Sequence, residues 1–115
     1  MEREQLSNQN FQQRDLIKQT VLQLNKDLLP CGLVVEWSGD IFSAYQEIVM
    51  QLEAIIFQLA KTGSSNLNAW LYRVDIPEKT LKKVLNKQDN QQALAQAILE
   101  RTFIKIMFRN NYRQV

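Results

Sequence analysis

Arg101, Lys105, Arg109 and Arg113 recur at every fourth position near the C-terminal end of the chain. On a helix that spacing draws a basic stripe that drifts slowly around the axis. Such a stripe suits phosphate: each contact would add about −0.9 to the logarithmic salt slope on a duplex and about −0.7 on a single strand. Tyr72 and Tyr112 would offer ring faces for base stacking beside it. The same cations have a plainer use, because positive charge complements the carbonyl end of a helix by about 0.3 to 1 kcal/mol each, and long basic stems cover apolar surface. A formal net charge of +2 also falls short of the footprint of a dedicated nucleic-acid binder. Nucleic-acid binding through the stripe is therefore the second reading of this sequence.

Catalytic chemistry has less to work with. The chain has no histidine and a single cysteine, which removes the usual neutral-pH base, the imidazole metal ligand and the thiolate zinc site. Cys31 lies between Pro30 and Gly32 with no basic residue within four positions, so it reads as a small apolar filler; a reactive thiol needs an electropositive setting. Glu47 and Glu53 are six apart and face different sides of a helix, while Asp75 and Glu78 have Arg73 and Lys79 beside them and read as capping and local pairing. Gly32, Gly39 and Gly63 stand singly, so no glycine-rich phosphate loop is possible. The expectation is a protein that is not an enzyme and that carries no metal and no cofactor.

The elements that would hold these residues are helical. From Asp40 to Lys61, Ile41, Tyr45, Ile48, Leu52, Ile55 and Leu59 recur at spacings of four and three, and Phe42, Val49 and Ile56 form a second row. A helix this broadly apolar needs partners on more than one side. Ser38 is placed to cap it, with Trp37 stapling onto Phe42. An earlier helix, starting between Ser7 and Asn10, has Ile17, Val21, Leu24 and Leu28 on its inner row and is stopped by Pro30 and Gly32. Leu33 to Trp37 reads as extended, and Thr62 to Asn66 as a flexible linker.

Residues 67–76 fit two periods. Leu67, Trp70, Leu71 and Val74 share a helical face, while Trp70, Tyr72, Val74 and Ile76 alternate as a strand would. Helix is favoured, since a strand here would find only 33–37 to pair with. A further helix spans about Pro77 to Asn86 with Leu81, Val84 and Leu85 inward, and Lys79, Lys83 and Lys87 line its outer side. A last helix runs to about Asn110 with two apolar arcs, the second collecting Leu99, Phe103, Ile106 and Met107. One contact face does not need both arcs, so that helix is either central or buried by another subunit.

The fold expected is all-α, a bundle of four or five helices in one domain over 1–115, frayed over 1–9. The alternative is α+β with a short two-stranded sheet from 33–37 and 69–76. Residues 1–60 hold four basic and eight acidic side chains and residues 61–115 ten and four, so the halves carry opposite signs. The leading reading is a small interaction or adaptor protein that self-associates or meets a protein partner through Leu99, Phe103, Ile106 and Met107. Gln46, Glu47, Gln51, Glu53 and Gln58 interrupt the longest apolar helix, which argues against a membrane span. The opening residues lack the apolar core of a secretion signal, and the lone cysteine favours a reducing compartment, so the expected location is the cytoplasm.

Overall fold

A computed structural model describes residues 6–113 as five helices. They are α1 (Arg14–Leu28), α2 (Ala44–Thr62), α3 (Ser64–Val74), α4 (Glu78–Leu85) and α5 (Asn90–Arg113), with a 3-10 turn at Leu29–Cys31. The fold is the all-α bundle, with no strand among the described residues. Helix α5 is central and packs on each of the other four. Ile17, Leu24 and Leu28 of α1, Ile48 and Leu52 of α2, Trp70 and Val74 of α3, and Ile98 and Leu99 of α5 are sealed from solvent in one core.

The boundaries have local causes. Gly32 takes the left-handed conformation (φ 72°) and its N–H donates to the Leu29 carbonyl at 3.0 Å, closing α1 as Pro30 and Gly32 led us to expect. The expected linker at 62–66 is instead a single residue: α2 runs through Thr62, Gly63 turns the chain at φ 127°, and α3 starts at Ser64. Residues 67–76 are helix up to Val74. Asp75 ends it at φ 64° with its N–H on the Leu71 carbonyl at 3.0 Å, a left-handed cap that aspartate tolerates better than most residues.

The two-stranded sheet is thereby excluded, and what replaces it is specific. The extended segment 33–37 has its backbone paired by two side-chain amides. Asn25 receives the Val35 N–H at 2.7 Å and donates to the Val35 carbonyl at 3.0 Å; Gln51 does the same for Glu36, at 2.8 and 2.6 Å. A primary amide offers one donor and one acceptor side by side, as a neighbouring strand would.

The entry to α2 also differs from expectation. The helix begins at Ala44, and Phe42 is exposed rather than stapled under Trp37. Ser38 does not cap it directly. Its N–H and hydroxyl donate to the Glu47 carboxylate at 3.0 and 2.7 Å, and Ser43 donates to the same carboxylate at 2.6 Å. These bonds hold the Glu47 carboxyl below the usual range, the Ser43 hydroxyl contributing most. Helix α1 starts later than expected, at Arg14, yet Leu6 and Phe11 ahead of it are buried, Phe11 edge-on to Phe103 at 5.4 Å. On α4, Val84 is buried but Leu85, expected inward, is 51% exposed.

Candidate functional site

The basic stripe folds back onto the chain. Arg101 donates from Nε to the Asp75 carbonyl at 2.9 Å and pairs with the Asp75 carboxylate at 3.3 Å. Lys105 Nζ donates to the Arg73 carbonyl at 3.4 Å. Both acceptors belong to the last turn and cap of α3, where carbonyls have no helical partner and the dipole is negative. Arg73 repeats the arrangement on α1, its Nε donating to the Asp27 carbonyl at 2.8 Å. Arg109 donates to the Gln23 side chain at 3.1 Å. The side chain of Arg113 lies outside the described residues.

These contacts surround a buried acid. Asp27 is 8% exposed. Burial pushes its carboxyl above the usual range, against the pull of Lys105, a hydrogen bond from Gln23, and Arg73. Burial likewise pushes the Lys105 ammonium down, against the attraction of Asp27 and with the help of Arg101. For both partners, loss of water outweighs the pairing. Cys31 borders the same junction: an Arg73 guanidinium nitrogen lies 3.6 Å from its sulfur. That cation is 42 positions away in sequence, beyond the reach of any local reading.

The four residues expected to form an interface are separated by the fold. Leu99 and Ile106 are core residues, 0% and 1% exposed, because α5 is surrounded by the other helices and uses this arc internally. Phe103 and Met107 instead line a small apolar cavity of about 250 Å³ with Leu6 and Leu16. Leu99 and Ile106 are therefore not presented to a partner, while Met107 remains 41% exposed.

A larger feature opens between α4 and α5. It is a cleft of about 450 Å³ whose apolar lining includes Val84, Ala93, Ala97 and Ile104, with Lys83, Lys87 and Arg101 among its basic residues. Ala93 and Ala97, one turn apart on α5, leave room where larger side chains would fill the space between the helices. Phe108, 68% exposed, flanks one end. Tyr45 reaches in from α2. Burial raises its hydroxyl above the usual range, the Glu100 charge adds to this, and a hydrogen bond with Gln96 opposes it. The phenol therefore stays protonated at neutral pH. Glu100 is tied down by the Leu6 N–H at 3.4 Å. Lys83 and Lys87 are exposed and make no ion pair among the described residues. The alternation of lysines every fourth residue was legible in sequence; the alanine gap opposite them was not, since it exists only when α4 lies against α5.

Among the described residues no helix is long and apolar enough to cross a membrane. Comparison with protein-family models, curated proteins and solved structures finds no match to this chain.

Proposed function

We propose that the protein is an adaptor that binds an acidic, amphipathic segment of a partner protein in the cleft between α4 and α5. One observation carries this reading: an apolar lining (Val84, Ala93, Ala97, Ile104) beneath lysines (Lys83, Lys87) that make no ion pair among the described residues. A helix or extended segment with apolar anchors and flanking carboxylates matches both features, the anchors supplying affinity and the charges orientation and on-rate. The three described cations of the C-terminal stripe, Arg101, Lys105 and Arg109, are engaged with groups of the chain itself, which favours this reading over nucleic-acid binding. The absence of histidine from the sequence favours binding over catalysis, and the free thiol of Cys31 favours the reducing cytoplasm as its location.

The test is an amide-resonance titration with two designed amphipathic peptides of about 18 residues, one built from Leu and Glu and one from Leu and Lys. The acidic peptide is expected to shift resonances of Val84, Ala97 and Ile104 and to bind more weakly as salt rises. The double variant Lys83→Glu, Lys87→Glu is expected to lose at least about tenfold in affinity, about 1.4 kcal/mol. Equal binding of the basic peptide, or unchanged binding by the double variant, refutes the reading.

A further inference from the structure

The outer face of α2 carries a row that the monomer does not use. Glu47, Met50, Ala54, Phe57 and Lys61 follow one another at spacings of three, four, three and four, the repeat that keeps a seam facing a partner helix. The inner face of the same helix is spent on the core through Ile48, Leu52, Ile55, Ile56 and Leu59. Along the outer row, Met50 is 59% and Phe57 51% exposed, and Ala54 and Lys61 are exposed as well.

The row is self-complementary when reversed. Its ends carry opposite charges, Glu47 ionised and fixed by Ser38 and Ser43, and Lys61 held over the Phe57 ring at 4.9 Å. Its middle is apolar, with the smallest residue at the centre. We infer that a second copy of this chain packs on it antiparallel, through a two-fold axis beside Ala54. Ala54 then meets Ala54 of the second copy, Met50 meets Phe57, and Glu47 meets Lys61, each heterologous contact made twice as an isologous interface requires. Antiparallel helices also oppose their dipoles favourably. A parallel pairing would put Glu47 on Glu47 and Lys61 on Lys61.

Tyr45, which lines the α4–α5 cleft, lies roughly 120° to 180° around α2 from the members of this row at 100° per residue. Dimerisation on the row therefore leaves both clefts open, whatever they bind, and presents them on opposite sides of the seam. The row runs over fourteen residue steps from Glu47 to Lys61, about 21 Å at 1.5 Å each, a short contact that belongs with weak interfaces.

Sedimentation equilibrium of the full chain between about 10 and 500 µM is the test, a range that brackets a weak complex. The expected result is a monomer–dimer equilibrium within it. Ala54→Lys, an exposed helical position whose fold is checked by circular dichroism, is expected to be monomeric throughout, and Lys61→Glu to weaken the dimer at least about fivefold. In a Cys31→Ser background, Ala54→Cys is expected to form a disulfide-linked dimer under mild oxidation and Lys61→Cys not to. A parent chain monomeric at the highest concentration, a dimer indifferent to Ala54→Lys, or cross-linking through Lys61→Cys in place of Ala54→Cys overturns the proposal.

Discussion

Removing Arg101 and Arg109 separates a stripe that binds phosphate from one that ties helices together, because the contacts of the two residues are unequal. Arg101 makes a charge-assisted bond to the Asp75 carbonyl and an ion pair with its carboxylate. Its side chain is 31% exposed and that of Asp75 75%, so the ion pair is worth about 0.2 to 1 kcal/mol. The hydrogen bond adds about 1 to 1.5 kcal/mol, below the usual range for charged partners, since water can reach the carbonyl once the arginine is gone. Arg109 has one exposed bond to Gln23 at 3.1 Å, and its loss costs at most about 0.5 kcal/mol. Arg101→Ala should therefore destabilise by about 1.5 to 2 kcal/mol and Arg109→Ala by almost nothing, with the double variant near their sum. At this chain length the expected fall in Tm is about 4 °C per kcal/mol, or roughly 6 to 8 °C for the double variant. Thermal unfolding followed by circular dichroism measures it. High salt should recover in the variant comparison only the ion-pair fraction, because screening acts on the charges and not on the carbonyl bond. If the stripe instead served phosphate, both arginines would matter alike for salt-dependent binding to a duplex or single strand and neither for stability. A double variant that melts within about 1 °C of the parent while losing such binding would refute the capping argument.

Two further predictions concern the polar groups that the core encloses. The raised Asp27 carboxyl sits above its unfolded value, so its contribution to stability is complete below the unfolded pKa and is lost as pH rises through the folded one; Asp27→Asn should accordingly gain on the parent as pH goes from about 3.5 to 7, and urea unfolding across that range would contradict this if the difference stayed flat or ran the other way. Asn25→Ala strips both partners from the Val35 backbone, which is 1% exposed, and should cost about 2 to 4 kcal/mol, whereas Gln51→Ala, whose partner Glu36 is exposed, should cost under about 1 kcal/mol in the same chemical-denaturation assay.

The helices were legible in the sequence where their periodicity is long, as in α2, whose inner row of Ile48, Leu52, Ile55 and Leu59 is the buried row observed. Residues 67–76 were ambiguous because these ten residues satisfy two periods, and the choice is made at the ends by Gly63 and Asp75, whose left-handed or positive-φ geometry the pattern of apolar residues does not encode. The extended segment 33–37 was legible as extended, but not its partners: Asn25 and Gln51 sit ten and fifteen residues away and look like ordinary polar surface on their helices. The apolar face of α5 was visible, but its allocation was not, since the same arc of Leu99 and Ile106 serves equally well against a neighbouring helix or a second subunit. Only the tertiary arrangement, with α1, α2, α3 and α4 all around α5, decides between them.

The opposite signs of the two halves invite a picture in which basic side chains of the C-terminal half meet acidic side chains of the N-terminal half. Asp27, which Lys105 and Arg73 attract, fits that picture, but the hydrogen bonds of those cations are of another kind. Lys105, Arg101 and Arg73 reach main-chain carbonyls at the ends of α3 and α1, so the acceptors they seek are helix termini, which carry negative potential without any acidic residue. Each such bond removes a cation from the surface and satisfies a carbonyl that the helix leaves unpaired. The densest group of cations left outside is that of α4 and the turn after it, where Lys79, Lys83 and Lys87 are exposed and Lys82 has the solvent-exposed Glu78 at 3.6 Å. Positive potential available to a partner is thus displaced from the stripe on α5, where sequence spacing drew it, to the rim of the cleft that α4 forms with α5. The same physics that makes α5 a good centre for the bundle makes α4, short and lysine-rich, the face it presents.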